Sequence, residues 1–162
     1  MDTMCVNRRY RAAKGLEEIP FSAIMQFVAE HHTADLINAP SQSPFTKCNA
    51  HSWFGGPFSC CYNNTSEGYP CMWDKPRQLA SYDSAGFEII AMGSGQLSKA
   101  LSSALQQWSL SPEHNAIILN LSPWNSQPWK ALGCSMRLIP YPKPTSSGGY
   151  WYASCWFGFD LQ

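Results

Sequence analysis

Two stretches of the chain carry apolar residues at helical spacing. In the first, apolar side chains recur every three or four positions over residues 22–36, after Pro20, which predicts a helix beginning near Ser22. In the second, about residues 94–108, one apolar stripe is formed by Leu97, Leu101, Ala104, Leu105 and Trp108. Both patterns indicate helices that bury one face against a core.

Residue types that start and stop helices predict two further helices. Asp2 or Thr3 suits the cap of an N-terminal helix that ends at Gly15. Ser111-Pro112-Glu113 combines a capping serine, a proline in the first turn and an acid near the positive helix end. A short helix is therefore predicted from this motif, with His114 in its first turn.

The last third of the chain has the pattern of strands. Residues 129–139 and 150–157 are rich in apolar and aromatic side chains, and residues 140–149 between them predict a long hairpin loop. From residue 39 to about residue 85 no periodicity is present, which predicts irregular structure. Together these elements predict a single domain over residues 1–162 of the α+β class, or a three-layer α-β-α sandwich around a small sheet.

Seven cysteines in 162 residues change this picture, because they indicate an oxidising compartment. The disulfide candidates are Cys48, Cys60, Cys61, Cys71, Cys134 and Cys155. Cys5 is left over and is expected to be a buried free thiol. We expect a secreted, extracellular protein. The first residues contain no apolar run, so the expectation is that a signal peptide has been removed or that export takes another route.

Position in the predicted elements suggests part of the pairing. Cys134 and Cys155 lie mid-strand in two neighbouring segments and are predicted to bond to each other. The remaining disulfides are predicted to join Cys48 and Cys71 to the adjacent pair Cys60-Cys61, in an order that the sequence leaves open.

Charge and hydropathy exclude several partners. Eleven Lys and Arg balance eleven Asp and Glu, so bulk charge does not favour nucleic acid or an anionic membrane. No stretch approaches the roughly eighteen apolar residues of a transmembrane segment. Seven Trp, seven Tyr and eight Phe instead suggest recognition through a shaped cavity and an aromatic surface.

Histidines and one carboxylate are the candidate site residues. His31 and His32 lie on a predicted helix among apolar neighbours, which is typical of histidines bonded to backbone, and we leave them out of the site. His51 and His114 are held by different segments and are able to converge on one metal or to act as acid and base. Glu88 stands among large apolar residues, so it is either an exposed surface glutamate or buried with a partner such as an imidazole, whose tautomer it would then fix.

The cysteine-rich stretch has two other interpretations. Cys48-x-x-His51 with Cys60 and Cys61 could form a zinc site, although two adjacent cysteines are awkward ligands for one tetrahedral ion. A loop cysteine and His51 could also form a nucleophilic pair. Disulfides are favoured over both interpretations, because oxidation would consume the thiols.

Several short motifs occur in a fixed order over nearly the whole chain. The motifs are Cys5-Val6-Asn7, Arg11, Gly15-Leu16, Ile19, Ala29, His32, Asp35-Leu36, His51, Gly86-Phe87-Glu88-Ile89, Trp108, Ser111-Pro112-Glu113-His114-Asn115, Trp129-Lys130-Ala131-Leu132-Gly133-Cys134, Tyr150-Trp151 and Phe157-Gly158. In this order they resemble the CAP superfamily of cysteine-rich secretory, antigen and pathogenesis-related proteins, and most of all its bacterial-type SCP-like members.

The resemblance implies an α-β-α sandwich around a small antiparallel sheet. It also implies a central cavity lined by two histidines and two acidic residues, in which the histidines hold zinc or another divalent metal. Carried over by motif, the histidines are His51 and His114, and the first acid is Glu88.

The chain departs from the family pattern in two places. Ser111 stands where the second acid is expected, and Glu113 is out of phase with that position. The stretch between His51 and Glu88 is enlarged by a cysteine-rich insertion at about residues 55–82, called below the cysteine-rich segment. This segment is expected to cover the cavity or to present a partner surface.

Three functions follow from these residues. The first is a secreted binding protein whose cavity holds a divalent metal through His51 and His114 and engages a lipid or sterol, a glycan or a protein. The second is a metal-dependent hydrolase of peptides or glycans with Glu88 as general base and catalytic residues His51, Glu88 and His114. The third is a structural or assembly protein with an inherited cavity. A catalytic zinc commonly has three protein ligands and only two are obvious here, so binding is favoured over catalysis.

Overall fold

The computed structural model describes residues 7–38, 48–142 and 147–161. The predicted cap at Asp2 or Thr3 and the leftover Cys5 lie outside the described residues. The elements are α1 (Ala23–Asn38), α2 (Pro70–Trp73), α3 (Lys75–Ala80), β1 (Gly86–Gln96), α4 (Ala100–Leu110), α5 (Pro112–Leu119), β2 (Ala131–Pro140) and β3 (Gly148–Gly158), with a π-helical turn at Asn7–Arg11 and a 3₁₀ turn at Leu97–Lys99. The fold is therefore mixed α and β, as predicted.

The three strands form one antiparallel sheet in the order β1-β3-β2. The β2–β3 hairpin confirms the prediction for the last third of the chain. The sequence predicts no strand at β1, however, and places a helix from residue 94, which is wrong. Gly93 and Gly95 lower the strand propensity of this segment. Gly93 is required here, because a Cβ atom would lie 2.5 Å from the indole ring of Trp151 on β3.

The helix predictions are mostly confirmed. α1 follows Pro20 as predicted, and α4 begins at Ala100, six residues later than predicted. α5 begins after Ser111, whose Oγ accepts a hydrogen bond from the backbone N–H of His114 at 3.4 Å. α2 and α3 lie in the stretch that was predicted to be irregular. They have four and six residues, too few for a helical repeat to appear in the sequence.

β3 contributes to two core clusters. Alternate residues of a strand point to opposite sides of its sheet. On one side Trp151, Ala153, Cys155 and Phe157 join residues of α4 and α5, among them Ala104, Trp108, Ile117 and Ile118. On the other side Trp156 joins residues of α1 and of the cysteine-rich segment, among them Met25, Val28, Ala29, Tyr62 and Met72. β1 pairs with β3 at one edge of the sheet, and Glu88 lies opposite Trp156 in the strand register.

All six disulfide candidates are bonded. Cys134 pairs with Cys155, its partner in the strand register, as predicted. Cys48 pairs with Cys61, and Cys60 with Cys71, which settles the order that the sequence left open. The zinc site and the cysteine nucleophile are therefore wrong as interpretations, since both require free thiols. In the part of the chain that the structure describes, no helix is long and apolar enough to cross a membrane.

Candidate functional site

Glu88 is a buried carboxylate at the centre of a hydrogen-bonded group. Its side chain is fully enclosed. Oε1 accepts hydrogen bonds from Nδ1 of His32 at 2.5 Å and from Oγ of Ser154 at 2.5 Å. Oε2 accepts a hydrogen bond from Nδ1 of His51 at 2.8 Å. Both carboxylate oxygens are therefore occupied, and the interpretation of Glu88 as an exposed glutamate near a turn is wrong.

His32 is the member of this group that the sequence analysis left out. Its ring is fully buried and stacks on Trp53 with centroids 4.3 Å apart. Nδ1 faces Glu88, and Nε2 lies 3.1 Å from the carbonyl oxygen of Ser52. A carbonyl oxygen only accepts, and a carboxylate likewise, so both ring nitrogens carry a hydrogen when both bonds are made. His32 is then an imidazolium paired with Glu88.

The local sequence offered one signal for His32. Two adjacent histidines on a helix point about 100° apart, so an apolar face takes in at most one of them. The other, His31, is exposed and its Nδ1 lies 2.9 Å from the carbonyl of Phe27 on the same helix. A buried histidine on α1 therefore required a polar partner from elsewhere in the chain, and that partner is Glu88.

The ionisation of Glu88 follows from its partners. Burial raises the pKa of the carboxyl, but the charge of His32 and the hydrogen bonds from His32 and His51 lower it further. The net result is a pKa of about 2 against an ordinary value of 4.5. Glu88 is thus a carboxylate at neutral pH, with little tendency to take up a proton.

His51 is oriented from two directions. Its backbone N–H donates to Oδ1 of Asn49 at 3.0 Å, and the Cys48–Cys61 disulfide fixes the start of the same turn. Its ring Nδ1–H donates to Glu88, which selects one tautomer. In the neutral ring the lone pair then resides on Nε2. That nitrogen is the one available as a base or as a metal ligand.

His114 stands across from His51 in the first turn of α5. The two ring centroids are 6.4 Å apart at an interplanar angle of 65°. Burial, followed by the charge of the nearby His51, lowers the pKa of His114, so its ring is neutral at neutral pH. Two imidazoles that share one zinc at about 2.1 Å per nitrogen have centroids about 5–6 Å apart. The observed 6.4 Å separation is slightly larger than this range, so the rings would have to move closer to share one ion.

A cavity of about 720 Å³ lies beside this hydrogen-bonded group. His51, Glu88 and His114 line it together, so the structure brings the three predicted site residues to one place. Ser111 and Glu113 also line it, and the Ser111 hydroxyl donates to Oε2 of Glu113 at 3.2 Å. The acid that seemed out of phase in the sequence thus reaches the same cavity. The cysteine-rich segment supplies part of the wall, including its aromatic side chains.

The metal-binding capacity of the site is limited to few ligands. Within residues 7–38, 48–142 and 147–161, no three His, Cys, Asp or Glu side chains are arranged to hold a metal ion. The rings of His51 and His114 are neighbours in the cavity, and the hydrogen bond from His51 to Glu88 is the arrangement usual for a metal-ligating imidazole. These residues fit a divalent ion that takes its other ligands from solvent or from a bound molecule.

No protein-family model matches this chain, and no curated protein matches it either.

Proposed function

We propose that this chain is a secreted CAP-like binding protein whose cavity holds a divalent metal, zinc first, through His51 and His114. The metal would polarise a bound molecule and add a positive centre to a cavity that otherwise carries carboxylates. The observation that carries the proposal is the Glu88–His51 hydrogen bond, which leaves Nε2 of His51 free to ligate beside the neutral ring of His114.

The fold and the cysteines support the same assignment. Residues of α1 pack on one side of β3 and residues of α4 on the other, the arrangement expected of a three-layer α-β-α sandwich. Three disulfides favour an oxidising, extracellular environment. Both properties are those implied by the resemblance to the CAP superfamily.

Zinc titration by calorimetry tests the metal site. The wild type is expected to bind one zinc per chain, and a His51→Ala, His114→Ala double variant is expected to lose at least about tenfold in affinity. His31→Ala is the matched control, because His31 is an exposed histidine of α1 outside the cavity. Equal affinities of the wild type and the double variant would exclude this function.

A second candidate function is hydrolysis with His51 as the general base. The observation that favours it is the same carboxylate–imidazole pair, which resembles the arrangement that activates a histidine in hydrolases. Glu88 itself is a poor base, because its pKa is about 2 and both its oxygens accept hydrogen bonds. Its role in such a reaction is to position His51.

Assays on peptide and glycan libraries with the metal-free protein test this second function, because a bound zinc would occupy Nε2 of His51. Turnover that falls at least about a hundredfold in His51→Ala supports it, whereas turnover that survives in this variant removes it. His31→Ala again serves as the control. Absence of turnover in the wild type leaves the binding function as the sole proposal.

A further inference from the structure

One wall of the cavity is a continuous row of aromatic rings. The row, called here the aromatic wall, consists of Tyr62, Tyr69, Trp73, Phe87 and Trp124, all of which line the cavity. Successive ring centroids are 5.9, 4.9, 6.5 and 4.8 Å apart. Tyr62 in turn meets the ring of His51 at 5.3 Å. The wall therefore begins at the proposed metal site and extends away from it.

Trp73 is the most open ring of this wall. It stacks on Tyr69 at an interplanar angle of 27°, and 37% of the residue is exposed. A large aromatic ring that is partly open in a cavity offers a flat apolar face to a ligand. The adjacent Phe87 ring meets Trp124 edge to face, so the surface is stepped rather than a single plane.

Four polar residues also line the cavity. They are Asn49, Asn64, Ser111 and Glu113, called here the polar rim, and they line it together with the two histidines. Among the described residues no Lys or Arg lines the cavity. Phosphate and sulfate groups are usually held by Arg or Lys side chains, so apart from the proposed metal the lining offers them no cation. The rim groups bond in part to one another, as Asn49 does to Asn64 and Ser111 to Glu113. An alkyl chain offers no hydrogen-bonding group to their remaining donor and acceptor positions, and burying those positions without a partner is costly.

We propose that the cavity binds a neutral saccharide, with one sugar ring on the face of Trp73 and its hydroxyls on the polar rim. A pyranose has an apolar C–H face and a perimeter of hydroxyl groups, so it matches a cavity lined by a stepped aromatic wall and by amides, a hydroxyl and a carboxylate. The volume of about 720 Å³ lies in the range of small-ligand sites, about 300–1,000 Å³. This inference rests on the proposed binding function, because it names the ligand class of the same cavity.

Saturation-transfer NMR and fluorescence titration with cellobiose and N,N′-diacetylchitobiose test the proposal. Irradiation of aromatic protons in the zinc-loaded wild type is expected to transfer saturation to sugar C–H protons, and at least one disaccharide is expected to quench tryptophan fluorescence. Trp73→Ala is expected to lower the affinity for that disaccharide by about tenfold or more. Tyr150→Ala is the control, since Tyr150 is an exposed aromatic residue of β3 outside the cavity.

The outcomes separate this inference from the metal function. Absence of sugar binding with zinc affinity intact overturns the saccharide alone, whereas sugar binding without zinc affinity overturns the metal alone. A Trp73→Ala variant that keeps the wild-type sugar affinity also overturns the saccharide proposal. The proposal is likewise overturned if octanoate displaces the sugar at a concentration below that of the sugar itself. If the circular dichroism spectrum shows that Trp73→Ala is misfolded, the saturation-transfer experiment on the wild type is the test. No transfer from aromatic protons to the sugar then overturns the proposal.

Discussion

Glu88 and Lys75 are both buried charged side chains, and their surroundings differ. Glu88 on β1 is surrounded by two imidazoles and a hydroxyl, all donating to its carboxylate. Lys75 on α3, within the cysteine-rich segment, is also fully buried. Its Nζ donates to the carbonyl of Phe58 at 2.6 Å and lies 4.9 Å from the ring centroid of Trp53. Among the described residues no carboxylate lies within salt-bridge distance of Lys75.

The two environments affect the charged form in opposite ways. The imidazoles outweigh burial at Glu88 and lower its pKa to about 2, which favours the carboxylate. At Lys75 burial is the main effect, and it lowers the pKa to about 8, against the charged form, although Asp35 and Asp74 oppose the shift. The comparison teaches that burial alone does not decide ionisation. A counter-charge within hydrogen-bond distance makes Glu88 a stable ion that can orient His51.

The largest expected effect is that of Glu88→Gln. The amide keeps the shape but removes the negative charge, which leaves His32 buried without a counter-ion. We expect the free energy of unfolding at neutral pH to fall by about 3–5 kcal/mol, measured by urea denaturation with tryptophan fluorescence. Glu17→Gln is the control, since Glu17 is exposed, and is expected to change stability by no more than about 0.5 kcal/mol. A loss below about 1 kcal/mol in Glu88→Gln would show that the ion pair contributes little.

Lowering the pH of the wild type should remove the stabilisation that the ionised Glu88 provides. The folded pKa of Glu88 is depressed, so its stabilisation is complete above its ordinary pKa of 4.5 and is lost as pH falls towards about 2. The stability difference between wild type and Glu88→Gln should therefore shrink over this window by on the order of 3 kcal/mol. Urea denaturation of both proteins at a series of acidic pH values measures it. A difference that stays constant down to the acid limit contradicts the assigned pKa.

Lys75→Met should have the smallest effect. Methionine removes a buried amine that forms no salt bridge with any residue the structure describes, and the lost bond to the Phe58 carbonyl offsets the gain. We expect a change within about 1 kcal/mol at neutral pH. Because the folded pKa of about 8 lies below 10.5, the unfolded chain keeps its proton longer as pH rises. The free energy of unfolding of the wild type should then rise by about 1 kcal/mol relative to that of the variant between neutral pH and about pH 9. A large loss at neutral pH would mean that Lys75 has a hidden counter-charge.

The parts of the fold that the sequence predicted are those set by local rules. The β2–β3 hairpin, α1 and the Ser111-capped α5 follow from apolar patterning and cap residues. The Cys134–Cys155 pair followed from two adjacent strands. β1 was missed because its glycines are poor strand formers, and it is held by pairing with β3, which lies more than fifty residues later.

The candidate site shows the same division. His51, Glu88 and His114 were identified as residue types in unusual positions, and the structure places all three on one cavity. His32 was set aside because an imidazole on an apolar helix face usually bonds to backbone. Its pairing with Glu88 spans 56 residues of sequence, and no local pattern encodes such a contact.

By itself, the sequence determined the class of the fold, the cysteines that pair, and the chemistry available to the site, because these depend on residue types and on short-range spacing. Only the tertiary structure decided that Glu88 is ionised and buried between His32 and His51, that Glu113 reaches the cavity, and that five aromatic rings form one wall. Those properties depend on which segments, distant in sequence, come into contact. These contacts are set by packing on both sides of β3.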